Sequence, residues 1–314
     1  MTFTPFAPRL VARRIHGGPA LLVALLLALA GLAARADGAM QAGVSISPDG
    51  TRIHYVDNRR AGDAPVLVFV PGWAMDSSVW DAQIAAFGST HRVVSLDPRS
   101  QGASDKTTTG NTPEVRAGDL DALLDKLDLS NVVLVGWSQG VQDLAAYVDR
   151  YGTQRLAGLV LVDSPVAAGA AGLKADPAVA QASFDLLAIY AAHPREYLQG
   201  MMQAIFTRPL APAQLQHRVD VAMKTPSSIG IAMLVMDMHG VDRRGVLQKI
   251  DKPTLIVAAA SSPELAAQQA GAKQVRGATL EVIDDAGHAV FADQPEAFDA
   301  ALRKFLGDLR GQAT

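Results

Sequence analysis

A serine, a histidine and a carboxylate in this chain could together carry out acyl chemistry, and the serine is the easiest to find. Ser138 stands in Gly136-Trp137-Ser138-Gln139-Gly140. The β-branched run Asn131–Val135 precedes this pentapeptide and the amphipathic stretch Val141–Tyr151 follows it. A strand, a G-x-S-x-G turn and a helix make a sharp elbow that lifts the serine hydroxyl above a sheet. The turn forces Ser138 into a strained backbone conformation, and side chains two residues to either side would collide, so glycine is needed at 136 and 140. The helix that begins there aims free backbone N–H groups at the same point. The plain alternative is an ordinary strand-to-helix turn, because glycine and serine are common; the flanking elements favour the nucleophile. A serine hydroxyl attacks poorly unless a base removes its proton. Histidine, with an ordinary pKa near neutrality, is the natural base. Of the seven histidines, His288 follows Gly287 in a loop after the strand-like run Thr279–Ile283, whereas His16, His54, His91, His193, His217 and His239 have no comparable loop context.

The elements that must position these groups can be read along the chain. Val44–Ser47, the turn signal Pro48-Asp49-Gly50 and Arg52–Val56 predict a β-hairpin. Val66–Val70 is wholly apolar and ends at Pro71-Gly72, as a buried central strand would. A helix is expected over Ser78–Phe87, a strand over Arg92–Leu96, and an exit loop over Asp97–Gly102. Thr112 can cap a helix that has Pro113 in its first turn. Leu120, Leu123, Leu124 and Leu127 then fall on one buried face. After the elbow comes the strand Leu159–Val162, ended by Asp163-Ser164-Pro165. Alternating strands and helices predict a mostly parallel, doubly wound α/β sheet covered on both faces.

The alternation stops at Val166 and resumes near Lys252. Between them, residues 178–192, 194–206, 212–223 and 227–239 read as helices separated by proline or glycine, so 166–249 is expected to be an inserted helical cap between core segments 37–165 and 250–314. Met201, Met202, Met223, Met233, Met236 and Met238 enrich this insertion; they serve either as its packing or as an adaptable ceiling over a pocket. The pattern closes with a strand at Thr254–Val257, a helix at Pro263–Val275, the strand Thr279–Ile283 and a helix at Gln294–Leu309.

With these stretches in order, the sequence resembles the α/β-hydrolase superfamily. The resemblance is carried by Pro71-Gly72-Trp73, Asp97-Pro98-Arg99-Ser100-Gln101-Gly102, Gly136–Gly140 and Gly287-His288, and it covers about residues 42–310. It implies an α/β-hydrolase fold with Ser138 as nucleophile and His288 as base. It also implies an oxyanion hole made from the backbone N–H groups of Gln139 and, by position, Trp73; the family's frequent His-Gly is replaced here by Pro71-Gly72, which leaves the backbone donor intact. Many members carry the acid after the seventh strand, but the matching stretch here, Ala259-Ala260-Ser261-Ser262, holds no carboxylate. Some carry it after the sixth strand, where Asp163 stands. Asp163 is therefore the expected partner of His288, with Glu264 as second candidate and a Ser-His dyad as a third reading.

Composition narrows the function further. The 314 residues are 49% hydrophobic, enough for one large α/β domain, and the formal net charge is -3, which gives no reason to expect a nucleic-acid partner. The absence of cysteine excludes disulfides, thiolate metal sites and a cysteine nucleophile. There is no H-E-x-x-H, and neither metal nor cofactor is expected. Arg9, Arg13 and Arg14, the apolar run 21–32 and Ala34-Arg35-Ala36 form the three parts of a secretory signal, with cleavage expected after Ala36. The run is short for a membrane anchor, the competing reading. The residues after Arg13-Arg14 fit a twin-arginine signal poorly. Removing 1–36 takes away four of the 28 basic residues and none of the 31 acidic ones. The expectation is a periplasmic or secreted serine hydrolase acting on a carboxylic ester or related small acyl compound, without stable membrane association. The resemblance also admits a cofactor-free dioxygenase or a perhydrolase or haloperoxidase-like enzyme. A non-catalytic binding protein on the same scaffold is the third reading.

Overall fold

The computed structural model describes residues 39–311; the expected signal segment, residues 1–36, lies outside the described residues. The chain opens with β1 (Gln41–Ile46) and β2 (Arg52–Asp57), antiparallel about the 48–50 turn, where Gly50 takes φ 86°. β3 (Val66–Val70) follows, then a 3₁₀ turn (Ser77–Trp80) leading into α1 (Asp81–Phe87), and β4 (Val93–Leu96). α2 (Pro113–Lys126) starts where the Thr112 side chain accepts from the Val115 N–H, a cap worth about 1 kcal/mol. β5 (Val132–Trp137), α3 (Gln139–Tyr151) and β6 (Leu156–Val162) follow.

Five helices then intervene, namely α4 (Ala170–Ala175), α5 (Pro177–Ala192), α6 (Pro194–Ala204), α7 (Pro212–Ala222) and α8 (Ser227–His239). A 3₁₀ turn (Arg244–Lys249) leads to β7 (Thr254–Ala259), α9 (Leu265–Ala272), β8 (Thr279–Ile283), α10 (Val290–Asp293) and α11 (Pro295–Gly311). The eight strands form one sheet in the order β1-β2-β4-β3-β5-β6-β7-β8. β3 to β8 are mutually parallel, and β2 runs against β4. This is an α/β-hydrolase fold with an inserted helical segment.

The central strands are buried on both faces, and successive residues serve opposite layers. Phe69, Val133, Val135 and Val162 face the layer of α1 and α11, with Trp80, Phe87, Phe298 and Leu302. Val68, Val70, Leu134 and Leu161 face α2 and α3, with Leu120, Leu124, Leu144 and Tyr147. Each fully buried aliphatic or aromatic side chain contributes about 1.5–3 kcal/mol relative to exposure. No single helix among the described residues is long and apolar enough to cross a membrane. α7 and α8 meet that test only as a pair bent by 82°, and both bury residues in the core (Val219, Ala222, Ile229, Met233).

Several boundaries differ from the sequence reading. The helix after the elbow begins at Gln139 rather than Val141, because Ser138 makes the whole turn by itself. α6 ends at Ala204 rather than Phe206, since the Ile205 carbonyl leaves the helix to accept from the Ala289 N–H at 2.9 Å. α9 is shorter than 263–275, because its ends close in turns from Leu265 N–H to Ser262 O and from Gln274 N–H to Gly271 O. The short helices α4 and α10 carry too few residues to show a period in sequence.

Candidate active site

Ser138 sits between β5 and α3 at φ 56° and ψ −116°, a conformation that costs a non-glycine residue about 1–3 kcal/mol. The surroundings hold it there. Its N–H donates to Val162 O at 3.1 Å, and its carbonyl accepts from the Val141 N–H at 2.9 Å. A Cβ on Gly136 would lie 2.7 Å from Gly140 O, and one on Gly140 would lie 2.5 Å from Val70 O, so the elbow packs backbone on backbone. Gly72 brings the loop after β3 alongside: a Cβ there would meet Trp137 at 3.0 Å and the Ser138 Cβ at 3.2 Å.

Asp163 closes β6 at φ 43°, with its N–H on Val257 O at 2.8 Å. Its carboxylate is buried and fully engaged. Oδ2 lies 2.8 Å from His288 Nδ1, while Oδ1 accepts from the Ala259 N–H at 2.9 Å and from Gln268 Nε2 at 3.3 Å. A carboxylate bound on one oxygen by the strand and on the other by the imidazole fixes the ring's tilt and leaves Nε2 without a hydrogen-bond partner among the described residues. The His288 loop is itself pinned. Trp137 Nε1 donates to His288 O at 2.9 Å, the Gly287 N–H donates to Asp293 Oδ2 at 2.8 Å, and Ser261 Oγ donates to Ala286 O at 2.7 Å.

Ser138 and His288 line one cavity of about 620 Å³ with Trp73, Gln139, Glu264 and Asp237. No hydrogen bond joins Ser138 to His288 among the described residues; in substrate-free enzymes this contact is often long and tightens with substrate bound. The N–H groups of Trp73 and Gln139 have no protein acceptor among the described residues. Gln139 is the first residue of α3, so its N–H has no partner within the helix. The Trp73 indole is anchored by donating to Gly230 O of α8 at 2.9 Å and packs edge-on against Tyr190 at 5.2 Å.

Glu264, the second candidate acid, stands in the cavity wall without a hydrogen bond to His288. Burial pushes its carboxyl above the ordinary range; His288 opposes the shift and the Asp163 charge adds to it. With no hydrogen bond to the ring, Glu264 does not orient His288. Glu264→Gln is therefore expected to change kcat/KM by no more than about threefold, under ~1 kcal/mol of barrier. Steady-state kinetics on an activated ester check this, and a loss near that of an Asp163 variant would move the acid's role to Glu264.

Of the insertion's methionines, Met202 and Met233 are fully buried packing residues, while Met238 lines the cavity and is half exposed. Three groups carried no sequence signal. Gln268 reaches Asp163 from α9, Trp137 lies 5.3 Å from the His288 ring, and a buried cluster joins Arg116, Asp143 and Asp237. Their neighbours come from chain segments up to 151 residues away, and nothing local marks such a contact.

The chain belongs to the alpha/beta hydrolase family, whose sequence model matches residues 67–301. It is 38% identical over 123 residues to a non-heme chloroperoxidase of Streptomyces lividans, covering 39% of this chain and 44% of that protein. It is 36% identical over 123 residues to a bifunctional esterase/perhydrolase of Acinetobacter calcoaceticus, again 39% of this chain and 44% of that one. Each of these two alignments thus spans under half the relative's length. An esterase structure from Exiguobacterium antarcticum superposes with a TM-score of 0.76 at 22% identity, over 85% of this chain and 100% of that one, and shares its fold. The family implied by the four sequence stretches is the family found.

Proposed function

We propose that this chain is a serine hydrolase of carboxylic esters or related small acyl compounds, working through an acyl-enzyme. The observation that carries the reading is the 2.8 Å Asp163–His288 hydrogen bond beside the strained Ser138, with Ser138 and His288 lining one cavity and Asp163 buried behind the histidine. Ser138 Oγ attacks the acyl carbon while His288 Nε2 takes its proton, and the carbonyl electron pair moves onto oxygen. The Trp73 and Gln139 N–H groups receive that oxyanion, each donor being worth about 3 kcal/mol of barrier. The intermediate collapses, the protonated His288 gives its proton to the leaving alcohol, and water repeats the sequence to release the acid. Labelling of Ser138 by a fluorophosphonate and turnover of nitrophenyl esters test the reading. A folded protein that does neither would bring forward a binding protein on a hydrolase scaffold.

A second reading has its own support in the relatives named as chloroperoxidase and esterase/perhydrolase. Hydrogen peroxide in place of water at the acyl-enzyme would release a peracid. Measuring peracid from acetate and peroxide, beside ester hydrolysis on the same sample, separates the two. Oxygen uptake with hydroxyquinolone-type substrates would instead point to a cofactor-free dioxygenase.

The export reading is also ours. The protein is expected in the periplasm or outside the cell with residues 1–36 removed, on the strength of the basic, apolar and Ala-Arg-Ala segments. N-terminal sequencing of the exported material checks it. Retention of Met1 on membrane-bound protein would replace the cleaved signal with an anchor.

A further inference from the structure

The Gln139 side chain is clamped at both ends. Oε1 accepts from Gln101 Nε2 at 3.1 Å, and Nε2 donates to Asp237 Oδ2. Gln101 belongs to the exit loop of β4, and Asp237 to α8 of the helical insertion. Asp237 is buried, and its other oxygen accepts from Arg116 Nη2 at 2.5 Å. Arg116 Nε in turn donates to Asp143 Oδ1 at 2.8 Å, on the same helix as Gln139. Arg116 has one guanidinium nitrogen, Nη1, with no partner, and its single positive charge is shared by two buried carboxylates. Burial pushes Asp143 up to about 7 against the pull of Arg116, and it raises Asp237 as well. Such a cluster is a weak source of stability, since desolvating its charges offsets most of their attraction. Its geometry, in contrast, is specific: it ends on the residue that follows the nucleophile.

We infer that Asp237 is a positioning residue of the reaction: through the Gln139 side chain it fixes the Gln139 N–H that receives the oxyanion, so the insertion sets the alignment of the hole. The inference rests on the acyl-transfer reading proposed above. The physical need is plain. A donor stabilises an oxyanion only when it is already aimed at the place where charge develops. Gln139 is the first residue of its helix, next to a strained Ser138, and helix ends fray unless tied down. The Asp237 and Gln101 contacts tie this one from two different layers.

Asp237→Asn and Gln139→Met test the link from its two ends. The first leaves Arg116 with one carboxylate, a balanced pair. The second keeps the backbone donor and does not touch Arg116. Each is expected to lower kcat on a nitrophenyl ester by roughly 10- to 100-fold with KM within about twofold, as for loss of alignment felt in the transition state alone. An aryl trifluoromethyl ketone supplies the readout that a structural role would not move. Ser138 Oγ adds to its carbonyl carbon, the carbonyl electron pair becomes an alkoxide in the hole, and His288 keeps the serine proton. Its inhibition constant should weaken by the same factor as kcat/KM. The double variant should be no worse than the poorer single one, because both cut one connection. Unchanged kcat, a fall in kcat with full ketone affinity, or additive losses would each reduce Asp237 to packing. Should Asp237→Asn not fold, Gln139→Met decides the same question by kcat and ketone affinity. Wild-type protein inert to both ester and ketone would overturn the acyl-transfer reading itself, and the proposal with it; activity in wild type with no effect of either variant overturns the proposal alone.

Discussion

Ser138→Ala is expected to remove ester hydrolysis almost completely, by about 10⁵-fold or more in kcat/KM, while leaving the fold and substrate binding in place. The size follows from the mechanism. Without Oγ no acyl-enzyme forms, and what remains is direct attack by water aided by the oxyanion donors. Folding should survive, and stability should not fall, because Ser138 is only partly buried and its side chain holds no partner among the described residues that alanine would strand. The strain at φ 56° belongs to the backbone and persists with alanine. Progress curves on an activated ester, with thermal unfolding and fluorophosphonate labelling of the same preparation, make the check. Near-native turnover by a folded, unlabelled variant would demand another nucleophile.

Asp163→Asn should come next in size, with turnover down by ~10⁴-fold, the magnitude known for the same change in a serine protease triad. The amide can present its NH₂ where Oδ2 now meets His288 Nδ1. Nδ1 must then accept rather than donate, which puts the ring proton on Nε2, the nitrogen that has to act as base. The other oxygen's contacts, to the Ala259 N–H and Gln268, survive with the amide oxygen turned that way, so the variant is expected to fold. The loss should sit in kcat, with substrate binding little changed. A fall of less than about tenfold would leave His288 able to hold its tautomer unaided, and the dyad reading would replace the triad.

The fold was legible because its signals are local. Val66–Val70 and Val132–Val135 are apolar throughout, Thr112-Pro113 marks a helix start, and each lies within a few residues of the element it announces. The elbow at Ser138 and the loop at His288 could be read for the same reason, since glycine at 136, 140 and 287 marks backbone that approaches other backbone. The carboxylate that bonds His288 was harder to read. Sequence placed Asp163 and Glu264 on competing footings, and only their positions in space distinguish a carboxylate 2.8 Å from Nδ1 from one without a bond to the ring. The Asp237–Gln139 contact was not legible at all. It spans 98 residues, and an aspartate near the end of an apolar helix reads as a solvent-facing polar position until packing buries it.

The loop that carries His288 leans on the insertion through its main chain. The Ala289 N–H donates to Ile205 O, and Asp293 Oδ2 accepts from both the Gly287 and Thr207 N–H groups. The Ile205 C=O and Thr207 N–H contacts are made by backbone groups, so they survive most side-chain changes at those two positions as long as the chain path is kept. For domain grafting the consequence runs the other way. A chimaera that exchanges this segment for a relative's must carry over the chain path through 205–207, or the His288 loop loses its footing. A cut that replaced the whole segment with a short linker would strip two backbone anchors from a loop whose own sequence had not been altered.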